Sequence, residues 1–248
     1  MKPRIGLNCD IEESNSSGES QRTRSRVWDS YHQLISLHGG TPLIIPPGVS
    51  PAEVGSMLDG VLLIGGDDYR AALLDQAELD QAELPPRFLP VHPDREQADR
   101  EWSRYLLSCN LPVLGICGGF QVLALEAGGE LFGDIENETD STLSHRREEV
   151  DVGPLPQHPV DWHGGLDLTP EAGSFEVNSS HHQAVSRLPS GWRLLADAAD
   201  GIIEGAVDAS GRMVGVQWHP ELIPDEPISS AITCRFIEWS RRQIRERD

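Results

Sequence analysis

A chain of 248 residues with 38% hydrophobic content is long enough to bury a sizeable core, and 40 acidic against 20 basic side chains give it a formal net charge of −20. Such a surface repels a polyphosphate backbone and argues against nucleic acid as a partner, while the lack of any apolar run of spanning length argues against a membrane. Lys2 is the sole lysine, so neither a lysine Schiff base nor a phosphate loop ending in Gly-Lys is available, and covalent chemistry falls to Cys, Ser or a carboxylate.

In chain order, residues 4–9 predict a first strand, followed by a polar loop rich in Ser and Glu, and residues 27–37 carry apolar side chains at helical spacing up to Gly39-Gly40. Residues 43–45 predict a short strand, and residues 51–58 a helix opened by Ser50 as its cap. The uninterrupted apolar run over residues 60–64, closed by Gly65-Gly66, fits a parallel strand covered on both faces. Residues 73–93, rich in Asp, Glu, Gln and Pro, read as an excursion that forms either a lid or a solvated insert. A helix over residues 94–108, with Trp102, Tyr105, Leu106 and Cys109 on one side, feeds a strand over residues 111–116. Residues 146–173, with Pro154, Pro156, Pro159 and Gly164-Gly165, interrupt the alternation a second time. The histidines in and beside this stretch, His145, His158 and His163, match no metal-ligand spacing, so no metal is assigned. Residues 213–217 predict a buried strand, and residues 228–244 a closing helix with Ile228, Ile232, Phe236 and Trp239 on its stripe. The pattern predicts one α/β domain over residues 1–248, a doubly wound, mostly parallel sheet with helices on both faces. Four scattered cysteines (Cys9, Cys109, Cys117, Cys234) suggest no disulfide framework, and with residues 1–5 leading into a strand instead of a signal peptide they point to the cytoplasm.

The chemistry concentrates at Gly115-Ile116-Cys117-Gly118-Gly119-Phe120-Gln121, an apolar strand that ends in a glycine-flanked Cys and runs at once into a helix. This describes a nucleophile elbow: the glycines remove side chains that would collide in a strained turn, and the helix N-terminus favours a thiolate and a developing oxyanion. A nucleophilic Cys needs a base, and the base an orienting group. Trp218-His219-Pro220-Glu221, behind the strand over residues 213–217, supplies both if the sheet brings His219 to Cys117; alone, His219 would read as a capped strand-end histidine.

Gly-x-Cys-x-Gly-x-Gln with Gln217-Trp218-His219-Pro220-Glu221 downstream resembles the class I glutamine amidotransferase-like superfamily. Within it, Asn178-Ser179-Ser180-His181-His182-Gln183 resembles the corresponding segment of the gamma-glutamyl-gamma-aminobutyrate hydrolase-like (gamma-glutamyl peptidase) branch, as do the opening strand and the Gly65-Gly66-Asp67 loop. The resemblance covers nearly the whole chain and implies a flavodoxin-like three-layer sandwich. It also implies a Cys117, His219, Glu221 triad and a substrate segment comprising Gly65, Gln121, Asn178, Ser179, Ser180, His181 and His182. Backbone amides of Gly66 and Gly118 are the expected oxyanion hole, although Gly65-Gly66 also fits a tight strand-end turn and residues 178–182 a capped turn. One departure stands out: the branch usually carries Arg after the nucleophile, where this chain has Gly118, which bears on specificity more than on catalysis.

The implied activity is cysteine-dependent hydrolysis of a small-molecule gamma-glutamyl amide, with no cofactor. The alternative is a glutaminase subunit that passes ammonia to a separate synthetase, and a third reading is a catalytically silent binding protein on the same fold. A homodimer stays open under each.

Overall fold

The computed structural model describes residues 1–14, 22–70, 87–146, 155–168 and 171–247. The strands are β1 (Arg4–Leu7), β2 (Asp10–Ser14), β3 (Arg22–Arg26), β4 (Thr41–Ile44), β5 (Gly60–Leu63), β6 (Val113–Ile116), β7 (Glu130–Phe132), β8 (Gln157–Trp162), β9 (Gly173–Asn178), β10 (Ala184–Arg187), β11 (Arg193–Ala198), β12 (Ile203–Val207) and β13 (Met213–Val216). The helices are α1 (Asp29–Leu37), α2 (Pro51–Val54), α3 (Pro93–Ser108), α4 (Gly118–Glu126), α5 (Ile135–Glu138) and α6 (Pro227–Arg247).

Among the described residues, nine strands form one sheet in the order β4-β1-β5-β6-β13-β12-β11-β8-β9. From β4 to β13 every pairing is parallel, and from β13 to β9 every pairing is antiparallel. This is the expected doubly wound α/β architecture, extended by an antiparallel wing. The inner parallel strands β5, β6 and β13 are buried on both faces, so their side chains divide by the two-residue period of the pleat. Leu62 and Leu114 join Ile5, Leu34 and Phe236 in a core under α1 and α6, while Val61, Leu63 and Val113 face Trp102, Leu106 and Val122 of α3 and α4. Ser50 and Glu53 close a reciprocal capping box on α2, the device expected from Ser50, although α2 gives way to a 3-10 turn at Gly55–Met57.

Two expectations change. The polar loop after β1 contains a hairpin, β2 against β3, and its strands lack apolar alternation because cross-strand ion pairs, Arg24 with Glu12 and Arg26 with Asp10, line it instead. The interruption over residues 146–173 contains β8, where His158, Val160 and Trp162 alternate inward; Pro156 and Pro159 disguise that period-two pattern in the sequence. Its residues 147–154 and 169–170 lie outside the described residues, as do residues 73–86 of the excursion expected over 73–93. The end of that excursion is anchored: Phe88 and Val91 are buried, and Asp68 bridges to Pro90. No helix among the described residues is long and apolar enough to cross a membrane.

Candidate active site

β6 and β13 are parallel neighbours with Ile116 opposite Val216, so the residues that follow both strands leave the sheet at one edge. Cys117 takes φ 49° and ψ −111°, a conformation that L residues rarely adopt and that persists only where the surroundings enforce it. They do so from both sides: the Cys117 amide donates to Val216 O at 2.8 Å, and its carbonyl accepts from the amides of Phe120 and Gln121 at 3.0 Å. The turn also needs α4 to press onto β5, which only a glycine permits, since a Cβ at Gly119 would stand 2.1 Å from Leu63 O.

His219 is clasped through its backbone by Asn178, whose Oδ1 accepts from the His219 amide at 2.8 Å and whose Nδ2 donates to its carbonyl at 2.9 Å. The tight turn Pro220–Leu222 then carries Glu221 back to the ring, with Nδ1 to Oε1 at 2.8 Å. Because an ionised carboxylate only accepts, the proton sits on Nδ1 and the tautomer is fixed. Nε2 is buried and has no hydrogen-bond partner among the described residues. A Cβ placed at Gly65 would lie 3.3 Å from His219 Cε1 and 3.4 Å from Cys117 Cβ, so imidazole and thiol flank the same small volume. Burial pushes the His219 pKa down, but the charge of Glu221 and the sulfur of Cys117 outweigh it and hold the imidazolium well above the usual histidine range.

A cavity of about 540 Å³ opens over this pair, lined by Cys117, His219, Glu221, Gly65, Gly66 and Ser180. Among the described residues its wall also carries Asp10, Asp29, Asp67 and Arg26. A Cβ at Gly118 would stand 3.3 Å from the Gly66 amide nitrogen, so the two glycines expected to form an oxyanion hole are neighbours. The remaining expected residues divide. Asn178 acts on the His219 backbone; Ser179 donates to His145 O; His182 Nε2 lies 2.9 Å from both carboxylate oxygens of Asp68. Gln121 does not line the cavity: its amide donates to Gln183 O at 3.0 Å and to Gln217 Oε1 at 3.3 Å, and Gln217 in turn donates to Cys117 Sγ at 3.4 Å. His181 also lies away from the cavity, buried beside His145.

Several residues that shape the site went unread in the sequence. Tyr31 of α1 accepts from the Gly65 amide at 3.1 Å, and burial, then the nearby charges of Glu221 and Cys117, keep its phenol protonated well above its ordinary range. Arg95 is wholly buried behind the Gly65-Gly66 turn, paired with Asp99 and donating to the carbonyls of Ile64 and Gly65. Asn8 joins the same network, donating to Asp99 and accepting from the Ile64 amide, and Tyr69 donates to Asp99 at 2.7 Å. The signal available was an Arg and an Asp four residues apart on an otherwise packed helix face, where unpaired charges are rarely buried.

The family model described as Peptidase C26 matches residues 3–221. The chain is 31% identical over 240 residues to a Mycobacterium tuberculosis protein that bears the provisional name glutamine amidotransferase, covering 91% of this chain and 71% of that one. It is 30% identical over 240 residues to the gamma-glutamyl-gamma-aminobutyrate hydrolase of Escherichia coli O157:H7, covering 88% of each. Among solved structures, a glutamine amidotransferase from Thermotoga maritima superposes with a TM-score of 0.56 at 13% identity, over 100% of this chain and 98% of that one, which speaks to the fold alone.

Proposed function

We propose, from the premise that the chain belongs to the Peptidase C26 family of class I glutamine amidotransferase-like proteins, that it hydrolyses gamma-glutamyl amide bonds with a Cys117, His219, Glu221 triad. The single observation that carries this reading is the fixed tautomer of His219. With Nδ1 committed to Glu221, Nε2 is the nitrogen left to exchange a proton with the thiol, which flanks the same small volume beside Gly65 as the ring does.

The steps follow from that arrangement. The Cys117 thiolate adds to the gamma-carbonyl carbon, and the charge gathering on oxygen meets the amides of Gly66 and Gly118. His219 gives its Nε2 proton to the departing amine as the C–N bond breaks, leaving a gamma-glutamyl thioester. Water, losing a proton to the same nitrogen, adds to the thioester; the C–S bond breaks, glutamate leaves, and the thiolate–imidazolium pair is restored. Glu221 holds the ring and offsets its charge throughout. Gln217, through its bond to Sγ, and Gln121, through Gln217, position the sulfur.

Arg26 is a cation on the cavity wall suited to a substrate carboxylate, and Gly65 and Ser180 are the residues of the expected substrate segment that line the cavity. The test is glutamate release by the purified chain alone from a gamma-glutamyl anilide and from gamma-glutamyl-aminobutyrate. Turnover of glutamine only on addition of a second protein would replace this reading with the ammonia-delivering glutaminase. No turnover of any gamma-glutamyl amide under either condition would leave the binding-protein reading.

A further inference from the structure

Away from the cavity, in the antiparallel wing, three histidines close around one carboxylate. His145 precedes β8, His158 lies on β8, His181 lies between β9 and β10, and Glu204 lies on β12; all four are buried, with side chains no more than 3% exposed. His145 Nδ1, His158 Nε2 and His181 Nε2 stand 3.4, 3.5 and 3.5 Å from the same atom, Glu204 Oε1. The four atoms lie within 4.8 Å of one another.

The outer ring nitrogens determine what the inner ones present. His145 Nε2 meets Asp200 Oδ2 at 2.8 Å, His158 Nδ1 meets Pro159 O at 3.3 Å, and His181 Nδ1 meets Gln183 O at 3.0 Å. Carboxylates and carbonyls only accept, so each outer nitrogen carries a proton, and a ring in its neutral form turns its lone pair toward Glu204. The three inner nitrogens and both Glu204 oxygens have no hydrogen-bond partner among the described residues. Three lone pairs aimed at a buried carboxylate repel one another unless a cation lies between them. Three imidazoliums packed in the same space would repel as well.

We propose that His145, His158, His181 and Glu204 form a closed, four-ligand binding site for a divalent zinc-class ion. Three imidazole nitrogens and one carboxylate oxygen are a donor set that zinc takes, and zinc bonds of about 2.0–2.1 Å put tetrahedral ligands about 3.3–3.4 Å apart. Each histidine nitrogen stands within about 0.2 Å of that separation from Oε1, and side-chain shifts of under about 1 Å bring the widest pair to the same value. The outer hydrogen bonds are the partners that metal-bound histidines use to fix ring orientation. Charge closes too, since a dication offsets the buried carboxylates Glu204 and Asp200. Such an ion ties β8, β12 and the β9–β10 connection together, and that connection begins just after Asn178, which clasps His219. The site holds no substrate position, and the inference stands apart from the peptidase reading.

The test is elemental analysis of the purified full chain, then titration of the chelator-stripped protein with Zn2+ and with Co2+. The expected result is one ion per chain, a Co2+ visible spectrum of tetrahedral intensity, and a melting temperature that falls on chelation and returns with Zn2+. Glu204→Gln, which keeps the side-chain shape, is expected to lose more affinity than the about 10–100-fold that changes to an outer hydrogen-bond partner, such as Asp200→Asn, cost. A folded, cooperatively melting wild-type chain that takes up neither ion and whose melting temperature ignores Zn2+ would overturn the site, leaving a cluster held by shared protons. Unchanged affinity in Glu204→Gln would overturn the ligand set. None of these readouts depends on turnover.

Discussion

Glu221→Gln removes one charge from the triad while keeping the shape of the side chain, and its effect follows from the 2.8 Å contact with His219 Nδ1. Glu221 is the strongest of the influences that hold the imidazolium against burial, ahead of Cys117. A hydrogen bond to a charged group contributes about 1.5–3 kcal/mol, and the substitution removes both that charge and its attraction for the imidazolium, so the His219 pKa should fall. In the parent protein the raised pKa holds the proton that His219 gives to the departing amine until alkaline pH removes it. The alkaline limb of kcat/KM should therefore move to lower pH in Glu221→Gln. An amide that donates to Nδ1 also forces the proton to Nε2, and loss of the correct tautomer in the best-studied triad lowers kcat by about 10⁴, which sets the upper end of the expected loss here. The assay is a pH–rate profile of gamma-glutamyl anilide hydrolysis, with thiol alkylation by iodoacetamide followed over the same range. An alkaline limb that stays in place while the acid limb moves would refute the argument, because His219 would then be working from its neutral form.

Cys117→Ala should abolish turnover, while Cys9→Ala, Cys109→Ala and Cys234→Ala should retain it; equal loss in any of those three argues against the elbow thiol as nucleophile. Gly65→Ala places a methyl 2.9 Å from the Tyr31 hydroxyl and against both Cys117 and His219, so kcat/KM should collapse with little change in melting temperature. Gly119→Ala instead sets a methyl against the Leu63 carbonyl at 2.1 Å, and the loss should appear in stability, at the upper end of or beyond the about 1–3 kcal/mol typical of overpacking, read by urea unfolding. Arg95→Met strands Asp99 without its cation and should cost about 3–5 kcal/mol, whereas changing both partners to apolar residues should recover much of it. An additive double mutant in that cycle would count against a coupled pair.

The features legible in the sequence were those that local rules write. An uninterrupted apolar run such as residues 60–64 has few alternatives to a strand buried on both faces, and a glycine-flanked Cys between an apolar run and a helix has few alternatives to an elbow. His219 and Glu221, two residues apart across a proline, could be joined to each other from spacing, and the parallel register of β6 and β13 then delivers them to Cys117. The hairpin β2–β3 was hidden because charged cross-strand pairs replace the apolar alternation that marks most strands. The histidine cluster was hidden for a different reason. His145, His158, His181 and Glu204 are separated by 13, 23 and 23 positions, and no ligand spacing rule covers residues that only an antiparallel wing brings into register. His163, which the sequence grouped with them, points instead to Asp197 on the surface.

A buried ion pair seldom stabilises a fold more than apolar packing would, so the Arg95–Asp99 pair calls for a reason beyond stability. Its position supplies one. The guanidinium gathers the carbonyls of Ile64 and Gly65 on one side, and Asn8 accepts the Ile64 amide on the other. Tyr31 accepts the Gly65 amide from across the cavity, and the Gly66 amide is left beside Gly118 with no side chain to shield it. Turning backbone carbonyls inward toward a fixed cation leaves the following amide free to face the cavity, the orientation an oxyanion needs. Gly118 brings no side chain to the elbow, so the order of this loop comes from beneath it. Substitutions at Arg95 or Asn8 that leave the chain folded should therefore lower kcat more than they raise KM, because the amide they aim matters most when charge has gathered on the substrate oxygen. A rise in KM alone would assign the network to holding the substrate.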